Sequence, residues 1–266
     1  MMLKCNFHTH TTFCDGKSTP EEVVRSAVKK GFWAIGFSGH MYTPFDESYC
    51  MSKEGTAEYI SEILRLRESY AGKIKIFLGI EADYCSGEDI SSYDYTIGSV
   101  HYVLKNGEYI PVDETAEIQL DAVNRHYNGD FMSFSEDYFA CVSNVKGEIV
   151  GHLDLISKFN EDGALFDEKA PRYVKAAENA ITALISKDKI FEINTGAMSR
   201  GYRKTPYPSE NLLRIIKEKG GKIMINSDAH EAANIDFAFD EALALAKKSG
   251  FTEIYVFDGA FKKINI

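Results

Sequence analysis

Short apolar runs alternate with amphipathic stretches along almost the whole of the 266-residue sequence. The apolar runs are rich in β-branched and aromatic residues, which favours strands, and the stretches between them have the spacing of helices with one buried face. The predicted strands are residues 3–7, 32–37, 74–80, 95–100, 149–151, 190–193, 222–225 and 254–257. Strands that alternate with helices predict a parallel α/β sheet, and seven or eight such units favour its closure into a barrel over an open doubly wound sheet.

The first helix has the clearest boundaries in the sequence. Thr19 is a typical N-cap, Pro20 suits the first helical position, Glu22 completes a capping box, and Gly31 marks the end. Further helices are predicted near residues 59–64, 116–125, 134–142, 171–184, 209–216 and 239–246. Because no linker, repeat or low-complexity segment interrupts the pattern, we predict a single domain over residues 1–266.

Composition limits the class of partner. The formal net charge of −10 opposes general attraction to nucleic acid or to an anionic membrane surface, and no apolar run approaches the ~20 residues that span a bilayer. The N-terminus has no apolar core of the kind a signal peptide needs, and the five cysteines lack a framework spacing. We therefore expect a cytoplasmic protein with reduced thiols, whose oligomeric state the sequence leaves open.

Histidines follow the predicted strands. His8 and His10 are two residues apart and would point to the same side of an extended chain. Of the seven histidines, six lie at the carboxyl ends of predicted strands: His8, His10, His40, His101, His152 and His230. Glu81 and Asp228 also end strands, Asp154 lies two residues after His152, and Asp15 lies in the first loop.

In a parallel barrel these strand ends meet at one rim, so residues distant in sequence become neighbours. A single histidine at such a position is most simply a hydrogen-bonded structural residue. So many imidazoles and carboxylates crowded together would need many hydrogen bonds, whereas two or three cations would satisfy all of them. The pattern therefore predicts a metal centre.

The motifs that carry these residues resemble those of the polymerase-and-histidinol-phosphatase (PHP) family of metal-dependent phosphoesterases. They are His8-x-His10, Asp15, Ser38-Gly39-His40, Glu81, Gly98-Ser99-Val100-His101, Gly151-His152-Leu153-Asp154 and Ser227-Asp228-Ala229-His230. Residues 192–195, 203–204 and 206–209, together with the tracts 96–101 and 151–159, are similar to the histidinol-phosphatase branch. One departure is Gly39, where many members have an aspartate before the histidine.

The resemblance implies a distorted (βα)7 TIM-like barrel with three divalent metal ions, which could be zinc, iron or manganese. One ion would take His8, His10, Glu81 and Asp228. A second would take His101 and His152 with Glu81 bridging. The third would take Asp15, His40 and His230.

The implied reaction is the hydrolysis of L-histidinol phosphate in histidine biosynthesis, with a metal-activated hydroxide as the nucleophile. The leaving alkoxide needs a proton or a cation, which Asp228, His230 or a metal-bound water could supply. Arg172 and Arg200 follow the fifth and sixth predicted strands and are candidate phosphate clamps, because a guanidinium binds phosphate with two parallel hydrogen bonds. Arg203 and Lys204 are further candidates.

Other functions remain open from the sequence alone. A PHP-type phosphoesterase for another small phosphomonoester, a nucleotide or a nucleic acid 3′ end would use the same metals. The acidic net charge and the lack of a basic tract interleaved with aromatic residues disfavour a nuclease. A catalytically silent metal-binding protein and a metal-free barrel with hydrogen-bonded histidines are alternatives from other classes.

Overall fold

The secondary structure of the computed structural model, which describes residues 4–266, follows the predicted alternation. The strands are β1 (Cys5–Asn6), β2 (Ala34–Phe37), β3 (Lys75–Asp83), β4 (Tyr95–Ser99), β5 (Tyr102–Lys105), β6 (Glu108–Pro111), β7 (Ile149–Val150), β8 (Ile190–Asn194), β9 (Lys222–Asn226), β10 (Glu253–Phe257) and β11 (Phe261–Asn265). The helices are α1 (Pro20–Lys29), α2 (Lys53–Ser69), α3 (Ala116–Tyr127), α4 (Phe131–Val142), α5 (Pro171–Ser186), α6 (Gly196–Ser199), α7 (Glu210–Glu218) and α8 (Phe239–Lys248). Leu3, which the sequence places in the first strand, lies outside the described residues.

Seven parallel strands form one sheet in the order β1-β2-β3-β4-β7-β8-β9. The two outer strands then approach each other beyond their carboxyl ends. The His10 amide donates to the Ala229 carbonyl at 2.8 Å, and the Ala229 amide donates to the His8 carbonyl at 3.2 Å. The sheet is therefore a nearly closed barrel, and the prediction of a seven-stranded (βα) barrel is confirmed.

The helices form where the local sequence signals place them. Thr19 and Glu22 make the predicted capping box at the start of α1, and the same helix buries Val23, Val24 and Ala27 against the sheet. The strands β2 and β4 are buried along their whole length. Parallel strands covered on both faces read as continuous apolar runs, which is why these segments were recognisable in the sequence.

An aromatic cluster fills the amino-terminal end of the barrel. The Tyr95 hydroxyl lies 2.6 Å from the Phe7 carbonyl oxygen, and a Cβ added at Gly36 or Gly79 would lie within 2.4 Å of the Tyr95 side chain. The antiparallel hairpin of β10 and β11 covers this end, with the Phe257 and Phe7 ring centroids 6.2 Å apart. The interior of this end is therefore filled with hydrophobic side chains.

Two elements depart from the simple repeat. Residues 254–257 form a strand as predicted, but this strand pairs with β11 outside the barrel sheet. The β5–β6 hairpin after β4 was not predicted, and it stands beside the carboxyl-terminal rim. No helix within residues 4–266 is long and apolar enough to cross a membrane.

Candidate metal centre

The six strand-end histidines lie at the carboxyl-terminal rim of the barrel, as do Asp15, Glu81 and Asp228. The barrel brings together the following predicted ligands: His8, His10, Asp15, His40, Glu81, His101, His152, Asp228 and His230. His126, on α3, instead pairs with Glu108 at 3.0 Å and takes no part in this cluster.

Glu81 is the central residue of the cluster. Its side chain is fully buried, and its two carboxylate oxygens face imidazole nitrogens from four different strand ends. The nitrogen–oxygen distances are 2.9 Å to His40, 3.0 Å to His152, 3.2 Å to His8, 3.4 Å to His10 and 3.7 Å to His101. The Ser99 hydroxyl donates to Glu81 at 2.6 Å and fixes the carboxylate's orientation. A carboxylate in this position could bridge more than one cation.

Asp15 and Asp228 extend the cluster along the rim. His10 lies between them, with its Nε2 3.2 Å from Asp228 Oδ1 and its Nδ1 3.7 Å from Asp15 Oδ1. His230 Nε2 lies 3.2 Å from the other Asp15 oxygen. The rings of His40 and His230 are each 4.3 Å from the ring of His10, so the imidazoles are packed against one another.

Three groups of donor atoms are close enough to surround single ions, with all atoms of a group within 4.8 Å of one another. The groups are His8, His10 and Glu81; His10, Asp15, His40 and His230; and His40, Glu81 and His101. The first and second contain members of the first and third ligand sets implied by the resemblance. The third group contains His40 where the resemblance implies His152, although His152 lies within 3.0 Å of Glu81.

The donor set fits divalent cations. His8 Nε2, His10 Nε2 and Glu81 Oε2 are buried side-chain atoms without a hydrogen-bond partner among the described residues, and the two nitrogens lie 3.2 and 3.4 Å from the Glu81 oxygen. Buried polar atoms normally have partners, and leaving such a group unpaired costs about 1–3 kcal/mol. Imidazole and carboxylate donors that converge on one point are the ligands that zinc, iron and manganese accept.

The protonation states also suit metal binding. Burial and the neighbouring His230 and His40 lower the pKa of His10 to about 3, so this imidazole is neutral. Burial alone would raise the pKa of Glu81, but His8 and His40 hold it well below its usual range. Burial opposes ionisation of Asp228 as well, yet Arg200 and His8 hold the pKa of this carboxyl low. The two carboxylates are thus charged while buried, which favours cations beside them.

Glu192, on β8, orients the nearest histidine. His8 Nδ1 lies 2.9 Å from Glu192 Oε2, which leaves Nε2 to face the cluster. Glu192 also accepts hydrogen bonds from the His152 amide at 2.8 Å, from Asn194 at 2.7 Å and from Asn226 at 3.0 Å. Asp83 lies 3.2 Å from His101 Nδ1 in the same way. A carboxylate on the far nitrogen of a ligating imidazole fixes its tautomer and raises its basicity.

Replacing Glu192 by glutamine is expected to weaken metal binding by about 10- to 100-fold, the usual effect of losing such a partner. The affinity would be measured by titration of metal-free protein with zinc in competition with a chromophoric chelator. Glu148→Gln is a matched control, because Glu148 bonds Thr96 away from the cluster. An unchanged zinc affinity in Glu192→Gln would contradict the orienting role of this carboxylate.

A cavity of about 340 Å³ opens above the cluster. Its inner part is lined by predicted ligands, and its outer part by Asp46, Tyr49, Tyr102, Asp113, Glu114, Leu155 and Tyr202. The Lys and Arg side chains that line it, among the described residues, are Arg200 and Lys158. Arg200 donates to the Asp228 carbonyl at 3.1 Å and to Asp228 Oδ2 at 3.2 Å, and its Nη1 lies 2.8 Å from His230 Nδ1.

The structure does not place Arg172 at the cavity, so this predicted clamp is wrong. Its guanidinium pairs with Asp130 at 2.8 Å and with Glu136 at 2.7 Å on the surface of α4. The prediction used only the position of Arg172 near a helix start after the fifth strand, but the path of residues 151–170 between β7 and α5 places the start of this helix away from the cavity. Lys204 is exposed and pairs with Asp162, and Arg203 is buried beneath the rim.

Three other residues around the site were missed by sequence reasoning. Glu192 lies inside a buried strand, where an isolated acid among apolar residues was the available signal, and Asp83 ends β3 two residues after Glu81. Lys158 lies in the tract 151–159 that carries the resemblance, but nothing in its sequence context distinguishes it from a surface lysine. Asp154, considered from sequence, is buried away from the cavity lining and accepts the Ser209 amide at 3.0 Å.

Comparison with known proteins gives a consistent result. The PHP domain family matches residues 6–196. The histidinol-phosphatase of Bacillus subtilis is 26% identical, over 91% of this chain and 99% of the relative. The histidinol-phosphatase of Lactococcus lactis is 28% identical, over 97% of this chain and 96% of the relative.

Solved structures extend the comparison to the fold. The histidinol phosphate phosphatase of Lactococcus lactis, crystallised with zinc, L-histidinol and phosphate, superimposes with a TM-score of 0.70 at 26% identity, over 98% of this chain and 99% of that chain. A structure from Listeria monocytogenes has a TM-score of 0.78 at 19% identity, over 90% of this chain and 99% of that chain, and shows the shared fold.

Proposed function

This chain belongs to the PHP domain family, and from that premise we propose that it is a histidinol-phosphatase, which hydrolyses L-histidinol phosphate to L-histidinol and phosphate. The observation that carries the proposal is the convergence of imidazoles on the buried Glu81 carboxylate beneath an open cavity. The similar Lactococcus lactis enzyme holds zinc, L-histidinol and phosphate together. The reaction belongs to histidine biosynthesis.

The proposed cofactors are three divalent ions, drawn from zinc, iron and manganese. The three donor groups around Glu81 and His10 support this number. Three such ions would exceed the charge of Asp15, Glu81 and Asp228 by three positive charges, so the centre would attract a phosphate dianion. When bound, the ions supply Lewis acidity that activates water and neutralises charge on the phosphoryl oxygens.

Arg200 is the proposed phosphate-binding residue of the chain. Three of its N–H groups are taken up by Asp228 and His230, and two have no partner among the described residues. Its guanidinium lines the cavity and is held in place by its contacts with Asp228 and His230. It is therefore placed to donate to a phosphoryl oxygen while it orients two of the proposed ligands.

Asp228 and His230 are the proposed residues for handling the leaving-group proton. Both border the cavity, and the His230 side chain is 17% exposed. His230 Nδ1 lies 3.1 Å from the Asp228 carbonyl oxygen and 3.6 Å from Asp228 Oδ1, so the two side chains act on the same part of the cavity. With Asp228 ionised, a protonated His230 ring beside it would supply the proton to the departing alkoxide oxygen.

The outer cavity supports a small cationic leaving group. The carboxylates of Asp46, Asp113 and Glu114 face it, and Tyr49, Tyr102 and Tyr202 offer aromatic surface. Histidinol has a protonated amine and a planar imidazole, which such groups bind. A nucleic acid would instead meet negative charge at this rim.

Arg200→Ala is expected to lower kcat/KM for L-histidinol phosphate by about 100-fold, since a charge-assisted contact to the phosphoryl group contributes about 2–4 kcal/mol to the transition state. Arg172→Ala is the matched control, because Arg172 pairs with Asp130 and Glu136 outside the cavity. Its kcat/KM should equal that of the native enzyme. If kcat/KM of Arg200→Ala also equals that of the native enzyme, Arg200 does not bind the phosphoryl group.

The proposed substrate is tested by phosphate release from metal-loaded protein. L-histidinol phosphate would be compared with other small phosphomonoesters, nucleotides and short DNA, with kcat/KM as the readout. We expect L-histidinol phosphate to be hydrolysed most efficiently. A higher kcat/KM for a nucleotide or for DNA 3′ ends would overturn the substrate and leave the phosphoesterase chemistry in place.

A further inference from the structure

Lys158 lines the same cavity as Arg200. Its side chain is 12% exposed, and its Nζ donates to the Asp113 carbonyl at 2.7 Å and to Asp113 Oδ2 at 3.1 Å. Asp113 lines the cavity together with His101 and His152, which places this pair beside the cluster. An ammonium has three donors, so one N–H of Lys158 remains for a ligand in the cavity.

Arg203 holds the backbone of the same tract from its buried side. The residue is 8% exposed, and its Nη1 lies 2.6 Å from both the carbonyl oxygen and the hydroxyl oxygen of Ser157, the residue before Lys158. Glu168 is its ion-pair partner at 3.5 Å. A buried guanidinium that bonds a main-chain carbonyl fixes that backbone more strongly than an exposed one would.

Tyr202, the residue before Arg203, contacts the cavity side of the tract. The Lys158 ammonium lies 4.8 Å from the centre of the Tyr202 ring, and the Phe159 ring packs edge-to-face on Tyr202 at 5.7 Å. Tyr202 and Arg203 are consecutive in sequence, and they contact residues 157–159 on the cavity side and on the buried side respectively. The same segment contains Arg200, so it links the two cationic side chains that line the cavity.

Arg203 also contacts the environment of His152. Its guanidinium lies 5.4 Å from the centre of the Tyr207 ring, and Tyr207 packs edge-to-face on His152 at 6.4 Å. The tract 152–158 is therefore supported by Arg203 near both ends.

We propose that Arg203 is a positioning residue, which acts through Ser157 to hold the Lys158 ammonium at the cavity for contact with the phosphoryl group. The proposal rests on the proposed phosphatase function. It assigns Arg203 a role different from the phosphate clamp considered from sequence, because the buried guanidinium does not line the cavity. Its effect on the substrate would be transmitted entirely by the position of Lys158.

The test is a double-mutant cycle of Arg203→Lys and Lys158→Met in metal-loaded protein. The readouts are the Kd for inorganic phosphate, by calorimetry, and kcat/KM for L-histidinol phosphate. A lysine cannot reproduce the paired contacts and ring stacking of a guanidinium. We expect Arg203→Lys alone to weaken phosphate binding and kcat/KM about 10-fold, the order of loss that a small misplacement causes. In the Lys158→Met background, Arg203→Lys should change the phosphate Kd and kcat/KM by less than about twofold.

Lys204→Met is the matched control, because Lys204 is exposed and pairs with Asp162. Its phosphate binding should equal that of the native protein. Equal losses from Arg203→Lys in the native and the Lys158→Met backgrounds would show a general structural role and overturn the proposal. The absence of any loss from Arg203→Lys would overturn it as well.

Should Arg203→Lys fail to fold, Ser157→Ala replaces it in the same cycle, since it removes one of the two acceptors and keeps the other. A smaller loss that again disappears with Lys158→Met is expected, and an additive loss or no loss overturns the proposal. If the native protein binds phosphate but does not hydrolyse L-histidinol phosphate, the proposed function fails while the cycle on Kd still decides the role of Arg203. If the native protein binds no phosphate, both proposals fail.

Discussion

Glu81→Gln is expected to reduce phosphate release from L-histidinol phosphate by about 10³-fold or more. Its carboxylate lies within 3.7 Å of five imidazoles, and His8 and His40 hold its pKa low. A glutamine has nearly the same shape but carries no charge and presents a donor where the site needs an acceptor. Loss of a shared ligand removes several kcal/mol of transition-state stabilisation, and each 1.4 kcal/mol is about tenfold in rate.

Glu58→Gln provides the matched control for this substitution. Glu58 is exposed on α2, with no partner among the described residues, and its substitution should leave kcat/KM unchanged. Circular dichroism would show that both variants are folded, and elemental analysis would compare their metal contents. Near-normal rates in Glu81→Gln would contradict the central position given to this carboxylate.

Removing the metal is the second large perturbation. Dialysis against a chelator is expected to abolish activity, and addition of zinc or manganese should restore it. Magnesium should restore little, because it prefers all-oxygen octahedral sites and this cluster is rich in imidazole.

Metal removal should also lower the melting temperature. A ligand that binds only the folded state stabilises it by about 4 kcal/mol when present at a thousand times its Kd. Without cations, the unpartnered buried atoms of His8, His10 and Glu81 remain unsatisfied. Calorimetry of the metal-free and reloaded protein measures the difference. An unchanged melting temperature together with full activity in the metal-free protein would contradict the account.

The positions of the candidate ligands could be predicted because they depend on strand ends. An apolar run that stops at a histidine or an acid marks both the strand and the rim at which it ends, as at Phe37 before Ser38-Gly39-His40. Parallel strands then bring residues as distant as His8 and Asp228 within 3.7 Å. No detail of side-chain packing was needed for this step.

Other features could not be predicted because they depend on loop paths. Arg172 begins a helix, yet the long segment before α5 moves it to the outer surface. Lys158 follows a 3₁₀ turn at Leu155–Ser157, and this turn directs its side chain toward Asp113. Arg203 and Lys204 are adjacent in sequence, but one is buried against Ser157 and the other is exposed. Composition and spacing do not distinguish such pairs.

The most direct test of the metal centre is the metal content of purified, active protein, determined per chain by elemental analysis and located by anomalous diffraction. We expect about three divalent ions, each held between imidazole and carboxylate groups around Glu81 and His10. Fully active protein that contains no metal, or metal bound only away from these residues, would contradict this expectation.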